Sequence, residues 1–286
     1  MTRSTDTSLA RTAERALRFH QLHAGPRVLR LPNAWDAGSA RVVAACGAPA
    51  IATSSAAVAW AQGFRDGDEL PIPRLLDVVE SIAASTDLPL SVDMESGYSD
   101  DPAEVARHAV ALVERGVVGI NIEDGSGEPR LLAEKITAIR DATRAQGVDF
   151  FVNARTDVWL RGLAPAGERV AEALRRAALY REAGATGLFP AGIVAADDIA
   201  AVVAGAGLPV NVLDRPDLPD GAALERLGVR RHSAGSALAQ QLYGVLDAQT
   251  RGFLADGRLP AVGVPAMAYG TLNDAMPAAG TRGTRA

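Results

Sequence analysis

Two carboxylates, Asp93 and Glu95, stand two residues apart where the apolar run Leu88–Val92 gives way to Ser96-Gly97. In an extended chain residues i and i+2 point the same way, so both acids should face one side at the end of a strand. Like charges held close repel unless something positive sits between them. A hard divalent cation with oxygen ligands, such as Mg²⁺, meets that need. In isolation the pair also reads as two solvated loop acids. Other polar residues keep it company at the ends of apolar runs: Asn33, Trp35 and Asp36; Thr53, Ser54 and Ser55; Asn121, Glu123 and Asp124; Asn153, Arg155 and Asp157; Asn211 and Asp214; and Ser233. Burying such groups without partners would cost about 1–3 kcal/mol each. A shared ligand-binding crater accounts for them together. Taken singly, Asn33 and Asp36 also read as helix caps, Asp157 as a structural partner of Arg155, and Asp124 as an acceptor for loop amides.

The elements that would position these residues alternate regularly. Strands are expected at 28–33, 50–55, 89–94, 117–124, 149–157, 186–190, 208–213 and 229–233. Helices are expected at 36–46, 73–85, 102–115, 129–146, 167–183, 195–204, 220–227 and 236–255. Glycines 47, 116, 147, 184 and 207 each precede a strand as helix-stop residues do. Eight strand–helix units with apolar strands imply a parallel sheet buried on both faces, and eight units closing on themselves make a (β/α)₈ TIM barrel. An open doubly wound sheet is the alternative, but the first turn, LPNAWDAG, lacks the G-x-G-x-x-G phosphate fingerprint. The expected organisation is an N-terminal helix within 1–24, one barrel domain over 25–255 and a C-terminal helical extension over 256–286, with residues 278–286 disordered.

Composition narrows the function. The chain has 286 residues, 48% of them hydrophobic, and a net charge of −5 with no basic stripe for nucleic acid. The N-terminus has no apolar secretory region, and the most apolar window, 42–61, is too punctuated to span a bilayer. With the single cysteine Cys46 no intrachain disulfide forms, and a cytoplasmic location is expected. Cys46 reads as core packing, His20 and His23 as helix-end or surface residues, His108 as exposed and His232 as core-facing. Lys135, the only lysine among 29 basic residues, reads as solvated on a helix's polar face. Imine chemistry needs a desolvated lysine, so a metal should supply any electron sink.

The segments PNAWDAGSA, TSSAAVAWAQGFRDG, SVDMESGY, GINIEDG and FVNARTD, in this order, resemble the isocitrate lyase/phosphoenolpyruvate mutase superfamily across about residues 31–213. That resemblance implies a (β/α)₈ barrel, commonly a homo-oligomer (dimer or tetramer) that exchanges its last helix between subunits. It implies Mg²⁺, or Mn²⁺, bound directly by Asp93. Asp66, Glu95 and Glu123 would reach the metal directly or through its waters, with Asp66 also placed to meet substrate. Ser54 and Ser55 would clamp the substrate carboxylate or phosphonate, Arg155 would hold the substrate and its developing charge, and Trp35 and Asn211 would line the substrate site. The superfamily usually has Asp where this chain has Glu95. The isocitrate and methylisocitrate lyases carry a Lys-Lys-Cys-Gly-His loop after strand four, and here it is GSGEPRLLAE, without Cys or His. Their Glu after Phe-Pro of strand six is Ala191 here, and the mutases' Lys-x-Asn gating loop is missing.

The chemistry expected of such a site is enolate stabilisation. The reading is a Mg²⁺-dependent carbon–carbon lyase acting on a small 2-oxo or 2-hydroxy carboxylate, with Arg155 and Glu123 in catalytic positions. Tyr98, beside the acids, is a candidate proton carrier or a packing residue. The alternatives are a phosphonopyruvate-type C–P mutase or hydrolase, an oxaloacetate-like decarboxylase, and a non-catalytic carboxylate-binding barrel.

Overall fold

A computed structural model describes residues 2–276; the segment 278–286, expected to be disordered, lies outside the described residues. Helix α1 (Thr2–Ala24) precedes β1 (Leu29–Leu31) and β2 (Asn33–Ala34). The expected first strand is split by Pro32, which has no N–H to give to a ladder. There follow α2 (Ala37–Ala45), β3 (Ile51–Thr53), α3 (Ser55–Ala61), α4 (Ile72–Ser85), β4 (Leu90–Asp93), α5 (Pro102–Glu114), β5 (Gly119–Glu123), α6 (Pro129–Ala145) and β6 (Phe151–Thr156). The chain continues through α7 (Arg169–Glu182), β7 (Gly187–Pro190), α8 (Ala196–Gly205), β8 (Asn211–Leu213), α9 (Gly221–Arg226), β9 (Arg231–Ser233), α10 (Ala237–Asp256) and α11 (Tyr269–Ala275).

Every strand pairing is parallel. The ladders form two sheets, β1-β9-β8 and β2-β3-β4-β5-β6-β7, rather than the expected closed ring. A single bridge, Leu188 to Val210, joins β7 to the approach of β8, and the chain itself joins β1 to β2. The strand cores are apolar and fully buried: Ile51, Leu90, Val92, Ile120, Ile122, Val152, Ala154, Leu188 and Val212. The helices between strands turn apolar faces to them, as α4 does with Leu75, Val79 and Ile82, whereas α10 buries only Ala239. Helix stops are as expected: Gly116 (φ 85°) and Gly184 (φ 102°) take the left-handed conformation that a side chain resists.

Between the two sheets, β6 sets the layers. Phe151, Asn153 and Arg155 alternate on one face. At the bottom, α1 lays Phe19 and His23 on Phe151, with ring centroids 5.3 and 4.1 Å away. His23 is therefore buried, not at the surface; its Nδ1 meets the Phe19 carbonyl at 2.8 Å, and burial holds its pKa down at about 3. At mid-height Asn153 donates to Asn121 Oδ1 (2.9 Å), and Gly187 leaves room for it: a Cβ there would lie 2.7 Å from Asn153 Oδ1.

Three further expectations are corrected. Cys46 is exposed, because α2 stops at Ala45 and the turn leaves the core. Lys135 is buried: α6 packs beneath the 96–100 loop, and Nζ donates to the Ser96 carbonyl (2.9 Å) with Asp100 at 3.5 Å. His108 is half-buried, with Nδ1 3.2 Å from the Gly97 carbonyl. Among the described residues no helix is long and apolar enough to cross a membrane.

Candidate active site

The strand ends of β3, β4, β5 and β6 open onto one place. β4 and β5 pair Asp93 with Asn121, and β5 and β6 pair Glu123 with Arg155. Asp93 is held from below: its amide donates to Thr53 Oγ1 (2.9 Å), and its Oδ2 accepts the Ser55 amide (3.1 Å). Its Oδ1 is buried with no partner. An anionic oxygen in that state costs several kcal/mol unless a cation completes it.

Glu95 does not follow the alternation expected of it. β4 ends at Asp93, and Glu95 takes φ 49°, which swings its carboxylate to the 62–71 loop. There it accepts the amides of Gly67 (2.7 Å) and Asp68 and the hydroxyl of Tyr98 (2.9 Å). Asp68 (φ 60°) and Tyr98 (φ 62°) are also left-handed, so three non-glycine residues at one site carry backbone strain, on the order of 1–3 kcal/mol each. Their mutual hydrogen bonds hold that strain in place. Burial pushes Glu95 up to about 7, against the pull of the Asp68 amide and Tyr98. Burial also raises Tyr98, and the Glu95 charge adds to the effect.

Glu123 and Arg155 form an ion pair at 2.5 Å, with little of either side chain exposed. Burial pushes the Glu123 carboxyl upward, while Arg155 pulls it down and Asp93 pushes it up again. Burial would lower Arg155, but Glu123, Asp157 and Asp93 together raise it, so the guanidinium is permanently charged. Behind it stands a chain of ionic contacts. Arg155 forks onto Asp157 (Nε 2.7 Å, Nη2 3.1 Å), which also accepts Arg161 (2.9 Å). The Asp157 amide donates to Asp124 Oδ1 (3.0 Å), and Asp124 Oδ2 accepts Arg176 (2.8 Å) and Tyr180 (2.5 Å) from α7. Asp124 therefore ties α7 to β6 instead of serving its own loop alone. Arg155 also lies 5.9 Å from the centre of the Phe189 ring.

The remaining expected residues divide. Ser54 is the buried first residue before α3, and Ser55 opens that short helix; the sequence reading had run the second strand through both. Asp66 lies on an exposed loop. Partial desolvation raises its carboxyl, a hydrogen bond with the Ser55 hydroxyl lowers it, and the Asp93 charge raises it further. Trp35 is half-buried against the core beside Asp36, which caps α2 through Ser39. Asn33 is no cap: it bridges the Thr53 carbonyl (2.6 Å) and the Gly235 amide (2.8 Å). Asn211 is buried and bonds Ser233 (3.3 Å), not the carboxylates. His232 is half-buried facing Asp214 at 3.3 Å; its neighbour Arg231 is the residue that points inward.

Among the described residues no three acids close around a single point. The donors nevertheless suit a hard ion that keeps several of its waters: one free, buried carboxylate oxygen on Asp93, with Glu95 and Glu123 nearby. A cavity of about 330 Å³ opens beside them, lined by Gly67, Glu95, Ser96, Glu123, Ser126 and Lys135.

A parallel α/β fold that gathers acids and an arginine at the C-terminal ends of its strands places them where enzymes of this architecture carry their chemistry. Residues 19–254 match the phosphoenolpyruvate phosphomutase family, and the chain belongs to it, within the isocitrate lyase/phosphoenolpyruvate mutase superfamily. An uncharacterized protein of Mycobacterium tuberculosis (strain ATCC 25618 / H37Rv) is 38% identical over 223 residues, 76% of this chain and 81% of that protein. Phosphoenolpyruvate phosphomutase of Streptomyces hygroscopicus is 36% identical over 200 residues, 64% of this chain and 60% of that one. A solved Burkholderia cenocepacia J2315 protein, provisionally assigned as a phosphonomutase, superposes with a TM-score of 0.80 at 38% identity, covering 84% of this chain and 99% of its own. Proteins named as lyases and as mutases both stand among the relatives.

Proposed function

We propose that this protein is a Mg²⁺-dependent lyase that cleaves a C–C bond in a small 2-oxo or 2-hydroxy carboxylate and releases a pyruvate-type enolate. The observation that carries the reading is the free, buried Oδ1 of Asp93 beside the Glu123–Arg155 pair. Asp93 would hold Mg²⁺, or Mn²⁺, directly, with Glu95, Glu123 and Asp66 reaching it through water. Bound there, the ion supplies a Lewis acid for charge growing on the substrate's keto oxygen.

The chain's own groups supply the rest. Arg155, fixed by Asp157, gives a preorganised positive charge for the substrate carboxylate and the enolate oxygen. Ser54 and Ser55 clamp the carboxylate at the opening of α3, the Ser55 amide passing from Asp93 to substrate. Trp35 and Asn211, which do not line the cavity beside Glu95 and Glu123, would meet the substrate from the β2 and β8 side. Tyr98, which donates to Glu95, would hold a proton for the leaving fragment. The two sheets are read as arcs of one eight-stranded (β/α)₈ barrel, closed at the Leu188–Val210 bridge and through Pro32. The exposed apolar row on α10, Leu238, Leu242, Leu246 and Phe253, supports a homo-oligomer built through the C-terminal helices.

A second reading, phosphonopyruvate-type C–P chemistry, is favoured by the 36% identity to a phosphomutase. One experiment separates the two. Purified protein is offered 2-oxo and 2-hydroxy di- and tricarboxylates and phosphonopyruvate, with Mg²⁺ or EDTA, and pyruvate, glyoxylate and phosphoenolpyruvate are measured. Mg²⁺-dependent pyruvate or glyoxylate from a carboxylate supports the lyase; turnover of phosphonopyruvate alone replaces it. No turnover, together with no Mg²⁺-dependent stabilisation by oxalate, an enolate mimic, ends both.

A further inference from the structure

Arg231 has no part in the roles above. It is 1% exposed, at the start of β9, and crosses the space between the sheets to give Nη2 to Asn121 Oδ1 at 3.1 Å. Its Nε and Nη1 have no partner. Asn121 is the β5 residue in register with Asp93, and Asp93 Oδ1 is likewise buried and without a partner. A guanidinium taken out of water costs several kcal/mol unless an opposite charge answers it. Asp93 is the carboxylate whose charge raises Arg231, against a burial effect that brings it down to about 10. His23, whose pKa burial and then the Arg231 charge lower, is the titratable group on its other side that feels it.

We propose that Arg231 is a built-in counter-charge to Asp93: a positioning residue that holds this carboxylate in place in the metal-free protein and competes with a divalent ion for it. The inference rests on the metal reading of Asp93. It has a consequence opposite to that of an ordinary supporting residue. In the metal-free state the guanidinium stabilises Asp93; in the metal-bound state it faces a like charge. Removing it takes away an attraction from the first state and a repulsion from the second. Both changes tighten metal binding.

The test is calorimetric Mg²⁺ titration of the full-length protein at pH 8, with Mg²⁺-dependent thermal shifts, on wild type, Arg231→Lys and Arg231→Met. Arg231→Lys, which keeps the charge, should bind Mg²⁺ within a few-fold of wild type. Arg231→Met should bind it about tenfold more tightly, the size of effect one nearby charge exerts, and should gain more in thermal stability from Mg²⁺. An Arg231→Met protein that folds only when Mg²⁺ is supplied supports the proposal. One that binds Mg²⁺ no better than wild type, or that stays unfolded with or without Mg²⁺, overturns it and leaves Arg231 a structural strut. A metal-free double-mutant cycle with Asp93→Asn should show non-additive stability, and additivity would also overturn the proposal. If wild type itself binds no Mg²⁺, the metal reading fails first and takes this inference with it; if wild type binds and Arg231→Met gains nothing, only this inference fails.

Discussion

Phe151 and Arg155 lie on the same face of β6, four residues apart, and they belong to two different regions of the interior. Around Phe151, at the floor, two histidines pack, His20 at 5.0 Å and His23 at 4.1 Å; the buried one, His23, is kept neutral, with burial depressing it to about 3 and the Phe151 ring stacked on it. Around Arg155, at the mouth, burial is nearly as deep, yet charges are kept and paired. The floor meets the cost of burying an ionisable group by discharging it. The mouth meets it with ion pairs, amide donors and strained backbone, and still leaves one oxygen of Asp93 unanswered. Discharge gives stability without chemistry; retained charge with an open valence gives a place for a ligand.

Asp93→Ala should break the contrast most severely. It removes the unanswered oxygen, so stabilisation by oxalate with Mg²⁺, read by thermal shift, should vanish. That is a larger effect than the roughly 10–100-fold loss typical when a metal ligand's outer partner is removed. Retained Mg²⁺-dependent stabilisation would move the ion elsewhere. Asp124→Ala acts one step further back. It strips Arg176 and Tyr180 of a buried acceptor and lets go of the Asp157 amide. Breaking one partner out of a buried ion pair costs about 3–5 kcal/mol, which urea denaturation would register. A loss under 1 kcal/mol would mean that α7 is not part of the support for Arg155.

The floor is tested by acid. His23 has a folded pKa of about 3 against 6.5 unfolded. Above pH 6.5 it costs nothing. As pH falls from 6.5 towards 3 the unfolded chain takes up a proton that the folded protein refuses, and stability falls through that window. His23→Leu should flatten this part of the pH–stability curve while leaving Mg²⁺ binding unchanged. An identical slope in the variant would assign the acid sensitivity to the carboxylates of the mouth.

The same contrast sets what the sequence could reveal. Asp93, Glu123 and Arg155 were readable because each ends an apolar run, and a parallel sheet puts such ends together. Asp36 was readable as a cap because capping is local; its partner Ser39 came from the structure. What failed depended on a shift of one residue or on distant packing. In the eighth strand Val229, Arg231 and Ser233 share the inward face, so Arg231, one position from the expected His232, faces inward. Nothing near His23 or Lys135 in the chain announces Phe151 or the 96–100 loop above them. Arg176 and Tyr180 reach Asp124 across 52 and 56 residues. The left-handed turn at Glu95 overrides the period of two because two loop amides repay it.

Tyr98→Phe is the mildest break and discriminates most finely. The hydroxyl donates one 2.9 Å bond to Glu95, and the residue sits at φ 62°. If Tyr98 only braces the strained 95–98 turn, the variant should lose about 1 kcal/mol of stability, and Mg²⁺ and oxalate binding should stay within a few-fold of wild type. If Tyr98 also carries a proton, turnover should drop about 100-fold or more while that binding is untouched, because a positioned general acid contributes on the order of 10²–10⁴. Stability and turnover falling in proportion would reduce Tyr98 to a brace. Only a drop in turnover with binding preserved makes it part of the chemistry, and that result would extend the charged mouth of the site from Arg155 round to the strained turn on the opposite side of Glu95.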